Sequence, residues 1–556
     1  MRCFFNYIDP LLYIFVLFAK AWIFSCAIDP SLITSIANHE LFIMRLSIND
    51  FASVLFLTAF AYFIRSKVWC ILLLGLTDIW LIANLIYFRS YNDLLNSWCF
   101  YSISNLSGFE TAVWTFFEWS DLSFVALSLL YGICAFFLRN YSNYKTLYTT
   151  LTCFLLGLVL SIPQMVVSLH EEMPCNPYDK YYHDVSMGRN WYCITFSPYK
   201  YFMNELLAFR FFDDSSFYTI DDDAFMQYIL PTNTNLENVQ APYNVVIVFF
   251  ESLENWTTGL IVDGEEITPN LNRFSGHPHT CYLELVSQVA QGMSSDAQLI
   301  VLAGLLPIEN GAASMRFPTN TYLTLPKSCT FSKTQMFVPT SSSCWNQAAM
   351  CKAFGFQELF AMECSDYVLF DTLCNVLTEM KQPAFLMAIT MASHSPFTDY
   401  ADYSHLQLKG IKNTELKNYL RCVNYTDSCL GYLMRQITAS PLSENTIMLI
   451  MGDHTIFYPE KRERFFQELS CNDNPQFPKI PAFIYTPCVN TILPWDTAYQ
   501  MDVYPTILAL LNKQYLWQGV GKNLKENTPR KIASDSASFI SNSIIQHNFF
   551  QRFSPQ

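Results

Sequence analysis

The sequence predicts a five-helix transmembrane domain followed by an α/β domain with a mostly parallel central sheet. Three observations carry that reading. Five apolar stretches precede residue 171, each near the ~20 residues a helix needs to cross a bilayer. Beyond residue 241 come nearly continuous apolar runs of strand length, alternating with helical patterns. The composition, 51% hydrophobic and only 14% charged, is oily for a soluble protein and polar for a pure membrane bundle, so one part of each kind fits it. At 556 residues the chain exceeds one ordinary core. It divides into a transmembrane domain (1–170), a juxtamembrane linker (171–240), an α/β domain (241–520) and a C-terminal extension (521–556).

The expected spans are 9–28, 45–64, 68–88, 121–138 and 148–169. The first lacks a small-residue cleavage site and is followed by four more, so it reads as a retained helix and not a signal peptide. Basic residues set the orientation. Arg65 and Lys67 follow the second span, and Arg139 and Lys145 follow the fourth, which makes those turns cytoplasmic. Asp93, Glu110, Glu118 and Asp121 outweigh Arg89 after the third span, which places that loop outside. Five spans from a cytoplasmic N-terminus export everything after residue 170, and the acidic His170-Glu171-Glu172 agrees. Asp78 lies inside the third span, where an interhelical hydrogen bond is expected.

A net charge of −14 without a basic stripe excludes nucleic-acid binding as a main function. Thirteen of the 18 cysteines, from Cys99 on, fall outside, where disulfides are permitted. Cys344 with Cys351, or Cys422 with Cys429, are near enough in sequence for local pairs, and no CxxC suggests a thiolate zinc site. The linker holds YDKYYHD, the aromatic amphipathic run YFMNELLAFRFF (201–212) and the patch Asp221-Asp222-Asp223. The amphipathic run is expected to pack on the next domain or lie along the membrane surface, and the patch to be solvated.

In the α/β domain, NVVIVFFES (244–252), AFLMAIT (384–390), TIMLIMGDH (446–454) and AFIYT (482–486) read as strands. Residues 268–274 read as a helix with Thr268 as N-cap and Pro269 in its first position. Residues 414–437 and 502–512 are two more. Glu251, His394 and Asp453-His454 fall at the ends of three strands, and in open α/β sheets sites form at the carboxyl edge. One glutamate and an Asp-His pair make an oxygen, oxygen and nitrogen donor set that suits Zn²⁺ or Mn²⁺ better than Mg²⁺. A nucleophile is expected at QVAQGMSSDAQLIVLAGLL (288–306), where Ser294 or Ser295 opens an apolar helix. A hydroxyl there meets the helix's unsatisfied N–H groups and the positive end of its dipole, both suited to a phosphate. A nearby metal would make it nucleophilic.

These segments, in this order, resemble the lipoteichoic acid synthase and phosphoglycerol transferase group of the alkaline phosphatase (sulfatase) superfamily. The resemblance runs over nearly the whole chain. It is carried by NLIYFRSYND (84–93), VFFES (248–252), VDGEEITPNLN (262–272), QGMSSDAQ (291–298), NTYLTLP (320–326), CWNQAAMCKAFGF (344–356), SHSPF (393–397) and GDHT (452–455). It implies a sulfatase-like fold and one divalent metal, commonly manganese with Zn²⁺ or Mg²⁺ as alternatives. Its ligands would be Glu251, the nucleophile Ser294, in place of the group's threonine, and Asp453 and His454. It also implies a head-group pocket shaped by Trp345 and His394. Two departures stand out. Gln347 occupies the place of an arginine that binds phosphoglycerol in the group, and residues 337–343 lack the group's histidine. Loss of that cation weakens charge-assisted phosphate binding, so phosphoethanolamine joins phosphoglycerol as a head group.

The implied reaction moves a head group from phosphatidylglycerol or phosphatidylethanolamine, through a covalent Ser294 intermediate, to an envelope glycan or lipid acceptor outside a bacterial cytoplasmic membrane. His394 would bind substrate or protonate the leaving group. The alternatives are a sulfuric-ester hydrolase or phosphodiesterase of the same fold and a catalytically inactive membrane-anchored binding protein. The segment SSDAQ lacks the proline and arginine of a sulfatase maturation motif.

Overall fold

The computed structural model describes residues 8–37, 41–64, 66–91, 93–106, 110–137, 143–170, 189–211, 240–308, 311–470, 479–487, 498–513 and 515–526. The chain forms two compact units, one of residues 1–100 and 110–213, the other of 101–109 and 214–556.

The first unit holds helices α1 (Ile8–Ile28), α2 (Leu41–Phe63), α3 (Lys67–Tyr91), α4 (Leu122–Phe137), α5 (Asn143–His170), α6 (Arg189–Phe196) and α7 (Pro198–Phe211). Four helices among the described residues are long and apolar enough to cross a membrane: Ile8–Ile28, Leu46–Phe63, Lys67–Tyr91 and Trp119–Phe137. The fifth expected span falls on the helix α5, which runs from Asn143 to His170 and holds the apolar stretch Thr146–Ile162. Asp78 does bond between helices, as one half of an ion pair. Lys20 of α1 lies 2.6 Å from its Oδ1 and donates to Ser128 Oγ of α4, and Ser128 Oγ donates to Asp78 Oδ2. Lys20 is fully buried. A lone charge there would cost several kcal/mol, so the lysine in the first span and the aspartate in the third require one another. Arg89 makes a two-pronged bond to Asp121 at 2.7–2.8 Å.

The run at 201–212 was expected in the linker. It falls largely in α7, whose Tyr199 and Tyr201 are buried in the apolar cluster of the first unit. Tyr199 donates to the Leu17 carbonyl at 2.8 Å, and Asn49 of α2 donates to the Thr195 carbonyl of α6 at 2.6 Å. This unit therefore runs past residue 170, because aromatic side chains on the short helices complete its core. Arg65, Arg139, Glu171, Glu172, YDKYYHD, Asp221-Asp222-Asp223 and residues 527–556 lie outside the described residues.

The second unit is built on an eight-stranded sheet of β1 (Asn244–Phe250), β2 (Thr280–Val286), β3 (Lys333–Val338), β4 (Glu358–Ala361), β5 (Ala384–Ile389), β6 (Thr446–Gly452), β7 (Lys479–Tyr485) and β8 (Ala498–Tyr499). The order is β8-β2-β7-β6-β1-β5-β3-β4. Strands β6, β1, β5, β3 and β4 are parallel, and β7 is antiparallel to both its neighbours. Every residue of β1, β5 and β6 is buried, because apolar clusters cover both faces. The four strands expected from their apolar runs are present. Strands β2, β3, β4 and β8 carry polar residues or are short, and no run marked them.

Helices of this unit are α8 (Pro269–Ser275), α9 (Met293–Ala303), α10 (Gln347–Phe354), α11 (Asp366–Glu379), α12 (Thr414–Thr438), α13 (Pro459–Leu469) and α14 (Val503–Leu510). Thr268 precedes α8 as expected, but its side chain does not cap the helix. The buried Asp427 of α12 does so instead, accepting the Asn270 and Leu271 N–H groups at 2.9 and 2.8 Å. Cys344, Cys351, Cys422 and Cys429 are all free thiols. Cys422 and Cys429 are two turns apart on α12, ~10 Å by helical rise, beyond the reach of a disulfide.

Candidate active site

Parallel strands end at one edge, and register decides what meets there. Phe249 pairs with Ile389 and Met451, so Glu251, the residues after Ile389 and Asp453 leave the sheet side by side. Glu251, Asp453 and His454 are all buried, and one ligand atom from each lies within 4.8 Å of the others. His454 Nε2 is 3.6 Å from Glu251 Oε1 and 3.5 Å from Asp453 Oδ2. Asp453 Oδ1 accepts the Ser252 and His454 N–H groups, both at 2.8 Å, whereas Oδ2 has no hydrogen-bond partner. His454 Nδ1 faces the Thr455 carbonyl at 3.3 Å. A carbonyl only accepts, so Nδ1 carries the proton, leaving the Nε2 lone pair for the site.

Ser294 joins this trio from the first turn of α9. Its Oγ donates to Glu251 Oε2 at 3.1 Å and lies 3.3 Å from His454 Nε2. Ser295 turns away and donates to Ser314 Oγ at 2.7 Å. The turn into α9 is held by Asp296, fully buried, whose Oδ2 accepts the Ala290 and Gly292 N–H groups at 2.9 Å each. Position 292 must be glycine, because a Cβ there would sit 2.1 Å from Asp296 Oδ1.

The strand-end loops carry non-glycine residues at positive φ: Ser252 (55°), Met293 (44°), Trp345 (47°), Asn346 (54°) and Phe397 (65°). Each adjoins or is one of the sequence-expected site residues or lies in their loops. Such backbone costs of order 1–3 kcal/mol per residue and persists where the surroundings over-determine it. His394 lies in the loop after β5, close enough for its charge to act on Glu251. Its Nδ1 is 2.7 Å from the Ser395 carbonyl, and neighbouring Ser393 Oγ donates to the Glu251 carbonyl. Trp345 sits in the turn before α10, with the half-buried Cys344, whose thiol is pushed up to about 11 by desolvation and by the charge of Glu251. Asn346 Nδ2 ties that turn to the Ser314 carbonyl at 3.2 Å. Gln347 opens α10, only 3% exposed, and its Oε1 has no hydrogen-bond partner.

The electrostatics call for a cation. Burial raises the Asp453 carboxyl, and the neighbouring Glu251 raises it further. Burial works against the Glu251 carboxylate as well, but the charges of His454 and His394 hold it below its ordinary value. Among the described residues neither carboxylate pairs with a lysine or arginine. Two carboxylates and an imidazole lone pair, buried with the Asp453 Oδ2 orphaned, fit a divalent metal ion. Two contributors escaped the sequence reading: Asp296, and Ser252, whose Oγ donates to Glu251 Oε1 at 2.6 Å. Both lie inside segments that were singled out, but a buried acceptor of backbone N–H groups looks in sequence like any polar loop residue.

Comparison with known proteins places the chain. Residues 2–195 match the family model described as lipoteichoic acid synthase N-terminal domain, and residues 243–513 match the one described as sulfatase. Lipoteichoic acid synthase 2 of Bacillus subtilis is 25% identical over 332 residues, covering 55% of this chain. The chain spans about half the length of that relative, 51%. Lipoteichoic acid synthase of Staphylococcus aureus is 22% identical over 514 residues, 84% of this chain and 76% of the relative. Among solved structures, the integral membrane protein lipooligosaccharide phosphoethanolamine transferase A of Neisseria meningitidis shares the fold with a TM-score of 0.56 at 13% identity, over 91% of this chain and 96% of that one. With both family models matched in chain order, from the apolar helices to the sulfatase-like sheet, the chain is built like the lipoteichoic acid synthases it is similar to.

Proposed function

We propose that this protein is a membrane-bound, metal-dependent transferase that moves a phosphoglycerol or phosphoethanolamine head group from a phospholipid to an envelope glycan or lipid acceptor. The observation that carries the reading is the Ser294 hydroxyl, at the start of α9, within 3.1 Å of Glu251 Oε2 and 3.3 Å of His454 Nε2. Glu251, Asp453, His454 and Ser294 would hold the divalent ion, Mn²⁺ before Zn²⁺ or Mg²⁺. When bound, it supplies positive charge that acidifies the serine hydroxyl and offsets charge on the phosphoryl oxygens.

Ser294 Oγ attacks the phosphorus of the lipid head group as its proton is held at the Glu251 carboxylate. The bond from phosphorus to the diacylglycerol oxygen breaks, and His394 protonates that oxygen as it leaves. The head group remains on Ser294 as a phosphodiester. An acceptor hydroxyl then attacks the phosphorus, gives its proton to His394, and Ser294 departs and recovers its own proton. The N–H groups at the start of α9 and the helix dipole stabilise the phosphoryl charge. Trp345 and Gln347 contribute to the head-group pocket.

In this reading α5 is the fifth crossing, so the N-terminus is cytoplasmic and the catalytic half is exported beside its lipid donor in a bacterial cytoplasmic membrane. Tethering beside the donor raises its effective concentration. The test is mass spectrometry of the protein after incubation with Mn²⁺ and phospholipids labelled in the head group. The expected result is head-group mass on the peptide containing Ser294, absent in Ser294→Ala. An adduct on Ser295 would reject the assignment of the nucleophile. No adduct with any phospholipid, and lipid turnover equal in wild type and Ser294→Ala, would support an inactive binding protein.

A further inference from the structure

The loop that carries Asp453 and His454 is held by a buried ion pair outside the metal-ligand set. Glu254, three residues beyond Glu251, is fully buried. Its Oε1 accepts the N–H groups of Ile456 and Phe457 at 3.0 and 2.9 Å, just beyond His454. Its Oε2 accepts Trp256 Nε1 at 2.7 Å and Arg462 Nε of α13 at 2.8 Å. Arg462, 3% exposed, also donates to the Phe457 carbonyl from the same helix. On its backbone side, the Glu254 N–H donates to Tyr419 Oη, which itself donates to the Ser252 carbonyl at 2.8 Å. One side chain thus joins the turn after β1, which bears Glu251, to the turn after β6, which bears Asp453 and His454.

Stability alone does not account for this pair. A buried ion pair costs so much desolvation that an apolar pair of similar volume often matches or exceeds it. An apolar pair cannot accept two consecutive backbone N–H groups and so fix the direction of a loop. We propose that Glu254, oriented by Arg462 and Trp256, is a positioning residue that sets the separation of Glu251 from Asp453 and His454. The proposal rests on the metal-site reading above. Groups that orient ligands without touching the metal typically contribute about 10–100-fold to its affinity.

The experiment titrates Mn²⁺ into the purified full-length chain in detergent by calorimetry, which needs no turnover. Glu254→Ala is expected to weaken Mn²⁺ binding by about tenfold or more. Glu254→Gln, which keeps an acceptor for the two N–H groups, is expected to recover part of that loss. Arg462→Met, which leaves the carboxylate in place but unoriented, is expected to fall between Glu254→Ala and wild type. The control is Asp427→Ala, which removes an equally buried acceptor of two N–H groups at α8 and is expected to leave Mn²⁺ affinity unchanged. If Glu254→Ala does not fold, the Gln and Met variants carry the comparison. Wild-type affinity in the Glu254 and Arg462 variants that fold, or an equal loss in Asp427→Ala, would overturn the positioning role while leaving the metal site intact. A wild-type chain that binds no Mn²⁺ would overturn both.

Discussion

At the scale of single residues, the site is governed by charge held out of water. Burial and the nearby Glu251 push the Asp453 carboxyl up to about 7. Burial alone would lower the His454 imidazole, but Asp453 and Glu251 raise it above its ordinary value. Without a metal the trio therefore retains protons near neutrality, and metal binding must release them. Mn²⁺ affinity is expected to rise between about pH 6 and about pH 8, with proton release visible as buffer-dependent heat in calorimetry. The metal-free fold carries the opposite dependence. A carboxyl whose folded pKa is raised contributes its full stability below its unfolded value of 3.8, and that contribution is lost as pH rises toward about 7. Metal-free protein should thus melt at a lower temperature at pH 7 than at pH 5, about the window of that shift. Glycine 292 makes a different kind of prediction. Gly292→Ala keeps an ordinary backbone conformation but drives a methyl group into Asp296. Displacement of the first turn of α9 is expected to abolish the Ser294 adduct while circular dichroism shows the fold retained.

At the scale of elements, sequence pattern and packing contributed unequally. Strands β1, β5 and β6 were legible because a strand covered on both faces must be apolar throughout. β2 alternates, with Glu284 exposed and Leu283 and Leu285 buried, and lies at the antiparallel side of the sheet, so no apolar run revealed it. The start of α8 shows the same limit: Thr268 has the residue type of a cap, but Asp427, more than 150 positions away, supplies the acceptor. In the first unit the ion pair between α1 and α3 sets the expected cost of mutation. Asp78→Leu leaves Lys20 buried without its counter-charge and is expected to cost about 3–5 kcal/mol, whereas Lys20→Met with Asp78→Leu should be far milder. Thermal inactivation of both proteins in detergent measures the difference, and equal losses would mean that the pair is not what holds these helices.

At the scale of the whole molecule, the proposed topology concerns the side of the membrane that receives the α/β half. The positive-inside pattern of the sequence predicts that it is exported. Tyr403, 66% exposed on the second unit, provides a handle. Tyr403→Cys in intact spheroplasts is expected to react with a membrane-impermeant maleimide above the wild-type background, and protection until lysis would reverse the topology. The sequence by itself determined the two-part architecture, the parallel strands and the identity of Glu251, Ser294, Asp453 and His454 as candidates. Hydrophobic periodicity and short ordered motifs are local properties, so one chain is enough to read them. Tertiary structure alone decided that Ser294 and not Ser295 faces the trio, that residues 189–211 complete the first core, that Lys20 answers Asp78, and that Glu254 ties the Glu251 turn to the Asp453-His454 loop. Each of those depends on a partner distant in the chain, whose distance and direction are set by strand register and helix packing, and neither is written in any local pattern of residues.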